Sequence, residues 1–276
     1  MPGLISVIVT TYNWPEALAA CLASLLAQQD GNFEVIIADD GSSAPTQQLI
    51  AGIQQRSHIP IRHVRHEDKG FRAGTIRNKA AALSKGDYLL FMDGDCVALP
   101  SFISRHRDLA ETGYFVPGNR VLVAEAYTHQ VLDRHIALHS GSLGFFLGLW
   151  LHRRINRVLP LVRLPFRHWR YRHPELWQKA MTCNLALWKS DFLAVNGFDE
   201  VFEGWGYEDS DLVIRLIHSG VRRKEGRFAV PVFHLWHPYN DRSRHDRNYQ
   251  RLMDRLNQKS LIRAQAGVDQ YTTQIQ

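Results

Sequence analysis

The sequence predicts an α/β protein with a mostly parallel central sheet flanked by helices, Rossmann-like in its first half and carrying a basic, aromatic insertion. Three observations lead there. Short apolar runs alternate with amphipathic stretches through the first part of the chain, as strands buried on both faces and joined by crossover helices do. Carboxylates stand where two of those runs end, Asp39-Asp40 after Phe33 to Ala38 and Asp93-Gly94-Asp95 after Tyr88 to Met92; ligands of open α/β sheets gather at that edge. From about Ser140 to about His173 the periodicity fades into a run rich in arginine and aromatic residues.

Leu4 to Val9 reads as a buried strand. Asn13 is placed to cap a helix with Pro15 in its first turn, and Leu18, Leu22, Leu25 and Leu26 give that helix an inward face. Phe33 to Ala38 is the second strand, Pro45 to Gln55 a helix, Ile61 to Val64 a short third strand and Ala73 to Ser84 a helix. Tyr88 to Met92 enters the sheet and delivers Asp93 and Asp95 to its rim. Helices are expected over Pro100 to Ala110 and Tyr127 to Leu138, with a strand over Tyr114 to Val123 between them. Order returns at Met181 to Trp188, and Ser190 is a candidate cap for a helix over Asp191 to Val195. A helix from Glu208 to His218, strands near Arg222 and Val230, and a polar helix from Ser243 to Ala264 complete the chain.

With 276 residues, 45% of them hydrophobic, the chain can bury one large core. The division expected is a single domain over 1–276, made of a first half at 1–125, a basic insertion at 140–175, a second half at 180–240 and a C-terminal helix at 241–276. Cys21, Cys96 and Cys183 are odd in number and not spaced as metal ligands, so they read as reduced thiols of a cytosolic protein. No basic-then-apolar leader precedes the first strand, and the apolar stretches fall short of the ~20 residues of a spanning helix. The expected location is the cytoplasm. The net charge of +6 would suit nucleic acid, anionic lipid or a phosphorylated substrate. No nucleic-acid motif accompanies it, and no nucleic-acid partner is expected.

Asp93-Gly94-Asp95 offers two carboxylates at the end of a buried strand, chemistry that hard divalent cations favour. Asp and Gly are equally ordinary turn residues, so the triplet alone leaves both readings open. The surrounding stretches add context: Leu4-Ile5-Ser6-Val7-Ile8-Val9-Thr10-Thr11-Tyr12-Asn13, then Phe33 to Asp39-Asp40-Gly41-Ser42. Together they resemble the opening of the family 2 inverting glycosyltransferases, which use the GT-A fold. Asn196-Gly197-Phe198-Asp199-Glu200 and Gly204-Trp205-Gly206-Tyr207-Glu208-Asp209 narrow the resemblance to the branch similar to β-1,4-galactosyltransferases and chondroitin-type polymerases. The ordered set, from about Leu4 to about His237, is more specific than any one piece.

The resemblance implies a set of roles. Thr11, Tyr12, Asn13 and Asp40 would hold the nucleotide of a sugar donor, UDP first among the candidates. Asp40 is preferred to Asp39 because the family's matching carboxylate adjoins the glycine. Arg72, Arg77 and Asn78, within Lys69-Gly70-Phe71-Arg72-Ala73-Gly74-Thr75-Ile76-Arg77-Asn78, would lie against nucleotide and sugar, an arginine reaching phosphate. Asp95 with Asp93 and Gly94 would hold Mn²⁺ or Mg²⁺, completed by His237, with His234 as a second ligand; His-x-x-His by itself does not argue for zinc. Asp209 would be the general base and Glu208 an acceptor contact, with Trp205 and Gly206 forming the acceptor platform. From spacing alone, Glu208 and Asp209 are better read as acids at a helix start, and Trp205 equally well as core.

Between His152 and His173, Arg153, Arg154, Arg157, Arg163, Arg167, Arg170 and Arg172 alternate with Leu159, Leu161, Leu164, Phe166, Trp169 and Tyr171, with no acidic residue among them. Such a segment suits the anionic cytoplasmic leaflet as a peripheral contact, or phosphates on a lipid-linked or lipopolysaccharide-core acceptor. The function expected is transfer of a sugar from a nucleotide sugar to a glycan or lipid-linked acceptor in surface polysaccharide or lipopolysaccharide synthesis. A sugar nucleotidyltransferase would show a Gly-rich basic loop where Thr10-Thr11-Tyr12-Asn13-Trp14-Pro15 stands. A non-catalytic carbohydrate- or membrane-binding protein on the same fold would have no need of intact Asp93, Asp95, Glu208, Asp209 and His237.

Overall fold

Ile5–Thr11 carries no charge and forms β1, an interior strand of the main sheet in the computed structural model, which describes residues 1–164, 168–238 and 241–272. Successive side chains of a strand face opposite ways. Val7 and Val9 therefore pack in one apolar layer with Leu18, Leu22 and Leu25 of α1 (Pro15–Leu26). Around β1 run β2 (Phe33–Asp39), α2 (Ala44–Arg56), β3 (Ile61–Arg65), α3 (Ala73–Leu83) and β4 (Tyr88–Asp93). Ile8 packs in the opposite layer with Ile76 and Ala80 of α3. These four strands are parallel, in the order β3-β2-β1-β4. The chain builds outward from β1 to β3, then crosses back to set β4 on the other side of β1. That reversal opens a crevice at the carboxyl ends of β1 and β4, where such sheets bind ligands.

The chain continues through β5 (Cys96–Ala98), α4 (Phe102–Leu109), β6 (Tyr114–Pro117) and β7 (Asn119–Leu122). After α5 (Glu125–Asp133) and α6 (Leu143–Leu151) come β8 (Asn184–Trp188), α7 (Lys189–Ala194), α8 (Glu208–His218), β9 (Arg222–Arg223) and β10 (Pro231–His234). Antiparallel β8 joins β4 to β6, and β9 closes the far edge. A second sheet, β5-β10-β7, stands at the carboxyl end of β4. The last helices are α9 (His245–Asn257) and α10 (Asp269–Thr272). The expected α/β class with a mostly parallel, helix-flanked sheet is the one observed.

Several local expectations are corrected. The strand expected over Tyr114 to Val123 is two strands in different sheets. At Gly118, between them, the amide donates to the Asn184 carbonyl at 2.8 Å, and a Cβ would stand 2.1 Å from the Asn184 side chain. Asn13 does not cap α1. It adopts φ +46°, and its Oδ1 accepts from the Ser43 amide and hydroxyl, both at 2.8 Å, fastening the start of α2. Ser190 lies inside α7, which follows Trp188. α5 stops at Asp133, short of Leu138. α9 ends at Asn257; the chain then folds back so that the Ala264 amide donates to the Val195 carbonyl at 3.0 Å.

In the basic segment, Arg170 is buried and donates to the Glu225 and Arg227 carbonyls at 2.6 and 2.9 Å, so it serves the interior rather than a membrane or phosphate. Phe166 and Arg167 lie outside the described residues.

Candidate active site

Asp93-Gly94-Asp95 carries the chain from β4 into β5, from the large sheet to the small one. The Gly94 amide donates to the Thr10 carbonyl at 2.7 Å, and a Cβ there would stand 3.0 Å from the same oxygen, so the absent side chain lets the turn press onto β1. β10 runs antiparallel to β5, with His234 opposite Cys96, and the Leu235 amide donates to the Asp95 carbonyl at 2.9 Å. This register brings both histidines to Asp95: Oδ2 lies 3.4 Å from His237 Nε2 and 3.7 Å from His234 Nε2. One donor atom from each of Asp95, His234 and His237 lies within 4.8 Å of the others.

His237 Nδ1 is 2.7 Å from the Pro238 carbonyl, which can only accept. That contact fixes the ring so that Nε2 is the nitrogen on the side of Asp95. Burial pushes the Asp95 carboxyl up, His234 and His237 pulling against it and Asp93 adding to it. One carboxylate and two imidazoles fit a divalent ion that keeps open positions. The nitrogen donors suit Mn²⁺ better than Mg²⁺.

Beside this group, a single guanidinium ties three elements together. Arg77 of α3 donates through Nε to Thr10 Oγ1 at 2.9 Å, through Nη1 to Glu208 Oε1 at 3.1 Å and through Nη2 to Asp93 Oδ1 at 3.1 Å. Burial opposes its charge, but Asp93, Glu208 and Asp209 outweigh burial and hold it firmly cationic. Arg77, expected against nucleotide and sugar, thus pairs with three protein groups at the crevice. Asn78 follows it on α3. It is fully buried, its amide donating to the Phe198 carbonyl and Glu200 Oε1 at 2.9 Å and accepting from the Phe198 amide at 2.9 Å. Asn78 fastens the Asn196-to-Glu200 turn to α3.

Glu208 and Asp209 open α8, as expected. Burial pushes the Asp209 carboxyl up to about 7, Glu208 adding to the shift and Arg77 opposing it. Asp209 Oδ1 accepts from the Ser210 amide at 2.7 Å, and the side chain stays partly exposed. A carboxylate poised near neutrality at the crevice is suited to taking a proton. The helix starts abruptly: Gly204, Gly206 and Tyr207 take φ of +75°, +110° and +72°. A tyrosine in that region is costly, by roughly 1–3 kcal/mol. The Tyr207 hydroxyl stands 2.9 Å from His245 Nε2, while the Trp205 ring lies parallel to the His245 ring with Arg242 4.9 Å over its face. Trp205 is thus a partly exposed member of an aromatic and cationic cluster, not core.

At the end of β2, Asp40 is buried, with Oδ1 2.5 Å from His66 Nε2 and Oδ2 accepting from the Arg72 amide at 2.9 Å. Asp39 accepts from the Gly41 and Ser42 amides and meets His63, shaping the turn. Thr11 is buried at the end of β1, and the exposed Tyr12 donates its hydroxyl to Asp68 at 2.8 Å. Arg72 Nη2 donates to the Glu67 carbonyl, and its buried Nε has no partner among the described residues.

Sequence reasoning missed His66, Thr10, Tyr207 and His245. It also missed the buried ion network behind α8, where Arg255 bridges Asp211 and Asp199 at 2.8 Å each and Arg215 meets Asp211 at 2.8 Å. Of these, only the four-residue spacing of Asp211 and Arg215 left a visible signal.

Comparison with known proteins bears on the fold and the family. The profile of the N-terminal domain of galactosyltransferase matches residues 162–238. Validoxylamine A glucosyltransferase of Streptomyces hygroscopicus subsp. jinggangensis is 32% identical over 237 residues, covering 80% of this chain and 54% of that protein. Chondroitin synthase of Escherichia coli is 25% identical over 247 residues, 82% of this chain and 34% of that one. The chain thus spans about half, or less, of the length of these relatives. Among solved structures, S. aureus TarS 1-349 in complex with UDP-GlcNAc superposes with a TM-score of 0.63 at 16% identity, covering 98% of this chain and 70% of TarS. A mannosyltransferase from Pyrobaculum calidifontis, in complex with GDP-Man and Mn²⁺, gives 0.58 at 16%, covering 96% and 66%. The fold is therefore GT-A. The glycosyl transferase family 2 profile runs over residues 6–173, from β1 through the basic segment and across more than half of the sequence, and the chain belongs to that family of glycosyltransferases.

Proposed function

We propose that this glycosyltransferase is inverting and metal-dependent, and that it moves a sugar from a nucleotide sugar, UDP-linked, to a glycan or lipid-linked acceptor. One observation carries the reading: the Asp95, His234 and His237 donor set stands beside Asp93, which Arg77 joins to Glu208 at the start of α8. Donor and acceptor chemistry then share one crevice. That TarS is seen with UDP-GlcNAc, and the Pyrobaculum mannosyltransferase with Mn²⁺, supports the choice of ligands.

Thr11, Tyr12, Asn13 and Asp40 line the nucleotide side. Arg72 or Arg77 would reach a phosphate oxygen of the donor, with Asn78 beside them on α3. Asp95, His234 and His237, with Asp93 adjacent, would hold the ion, which when bound offsets charge on the departing diphosphate. Asp209 takes the proton of the acceptor hydroxyl as that oxygen attacks the anomeric carbon from the face opposite the diphosphate. Glu208, oriented by Arg77, hydrogen-bonds the acceptor, and Trp205 and Gly206 border the same mouth.

Residues 1–125 act as the donor half and 180–240 as the acceptor half, and the exposed Arg153, Arg154, Arg157 and Arg163 of the basic segment suit an anionic cytoplasmic membrane or phosphates on the acceptor. Surface polysaccharide or lipopolysaccharide synthesis is the setting this suits. No helix among the described residues is long and apolar enough to cross a membrane.

The test is calorimetric titration of UDP with and without Mn²⁺, on the wild type and on Asp95→Ala. Mn²⁺-dependent binding that the variant loses supports the assignment; identical UDP affinity in all four titrations removes it.

A further inference from the structure

Helix α6, Leu-Gly-Phe-Phe-Leu-Gly-Leu-Trp-Leu, carries no charged side chain, and its one polar atom is the indole nitrogen of Trp150. Only Phe146 and Leu149 turn inward, into the apolar cluster under the small sheet. The rest of the helix faces out, with Leu151 66% and Leu143 56% exposed and Phe145, Leu147 and Trp150 also exposed. Leu159 adds a further exposed apolar side chain nearby in sequence. Leu143, Leu147, Trp150 and Leu151 share one face at helical spacing, with Phe145 on the far side of the buried pair, an exposed apolar surface of the kind that marks an interaction site.

The residues just past the helix indicate what covers it. Arg153, Arg154, Arg157 and Arg163 are all exposed, and no acidic residue occurs between Asp133 and Glu175. An apolar helix surface ending in tryptophan and rimmed by arginines is complementary to an anionic bilayer: hydrocarbon for the leucines, the headgroup layer for Trp150, phosphates for the arginines. A second copy of the chain is a poorer occupant, because a two-fold contact through α6 would bring one arginine rim against another.

The geometry points to α6 as a membrane-inserting helix, lying in the interfacial layer of an anionic bilayer with Arg153, Arg154, Arg157 and Arg163 on the headgroups. The membrane contact then centres on residues 143–151, ahead of the arginine run that the sequence singles out. The Phe146 ring lies 5.0 Å from that of Phe233, whose neighbour on β10 is His234. The docked helix therefore rests directly on the strand that carries a metal ligand, which sets the crevice at a fixed height over the bilayer. That arrangement selects a lipid-linked acceptor over a free glycan. The acceptor class rests on the function proposed above; the docking does not.

The experiment is flotation of the full chain with vesicles of phosphatidylcholine alone or mixed with phosphatidylglycerol. It compares the wild type with Leu147→Glu/Leu151→Glu, whose sites are exposed and leave the core intact. Wild type should float with the anionic vesicles, and the variant should lose about tenfold or more of that partitioning with an unchanged melting temperature and unchanged UDP titration. Failure of wild type to float, or equal flotation by the variant, overturns the proposal. So does a doubled mass in light scattering without lipid that the same variant abolishes, which would make α6 a dimer contact. Flotation without UDP binding would sink the donor assignment and leave the docking standing.

Discussion

Asp209 sets the sharpest test at the scale of a single residue. Its carboxyl, pushed up to about 7 by burial and by Glu208, must lose its proton before it can accept one from a hydroxyl. The kcat/KM of the wild type should therefore rise with pH and level off above about 7, and the Asp209→Asn enzyme should lack that limb. Turnover in that variant should fall by roughly 10²–10⁴, with UDP-sugar affinity within twofold, because binding does not use the base. A wild-type profile flat from pH 5 to 8, or near-normal turnover in the variant, contradicts the assignment. Stability gives an independent readout. Between the ordinary aspartate value of 3.8 and about 7 the folded state keeps a proton that the unfolded chain has released, so unfolding becomes easier as pH rises through that window. Asp209→Asn removes this penalty and should melt above the wild type at pH 8 while matching it near pH 3.

Elements explain how a residue expected at the donor serves as a brace. Asn78 sits on the inward face of α3, and that face was legible from Ala73, Ile76 and Ala80. What it meets was not, because Phe198 and Glu200 lie more than a hundred residues away in sequence. Asn78→Ala leaves buried Phe198 groups unpaired and should cost about 1–3 kcal/mol in urea unfolding, with UDP affinity unchanged. A selective loss of UDP binding would return Asn78 to the donor site. Asp211 behind α8 is more exacting, since its loss strands Arg215 and Arg255 without their shared carboxylate. Asp211→Ala should cost about 3–5 kcal/mol, and a loss below 1 kcal/mol would show the network to be idle.

The parallel strands and α8 were readable because buried apolar runs and a helical apolar face are local patterns. The break at Gly118 was not, because nothing near it announces that the chain changes sheets; the reason is the Asn184 side chain packed against it. Asp95 and His237 could be paired in advance only through family resemblance, since the register of β10 on β5 is a long-range fact.

Across the whole molecule, charge is distributed against its own average. The chain is net positive, yet Asp93, Asp95, Glu208 and Asp209 converge on a crevice where Arg77 pairs with Asp93 and Glu208. Arg77 neutralises part of that cluster and ties β1 and β4 to the start of α8. Among the described residues Asp95 faces the two histidines and the Cys96 thiol but no lysine or arginine, so the site carries excess negative charge that a divalent cation would relieve. Binding to the folded state alone stabilises it by mass action, by about 2.7 kcal/mol when the free ion reaches a hundred times its dissociation constant. Saturating Mn²⁺ should therefore raise the melting temperature of the wild type by several degrees, and EDTA should reverse the shift. Asp95→Ala and His237→Ala should each lose most of it. Arg77 separates metal binding from general electrostatics: Arg77→Met leaves the Asp95, His234 and His237 donor set in place and makes the crevice more negative. If the ion is held by those ligands, the variant should begin with a lower melting temperature but gain at least as much from Mn²⁺ as the wild type does. A shift that survives in both ligand variants would instead mark Mn²⁺ as a diffuse counter-ion of the acidic crevice, and the metal-dependent mechanism would fall with it.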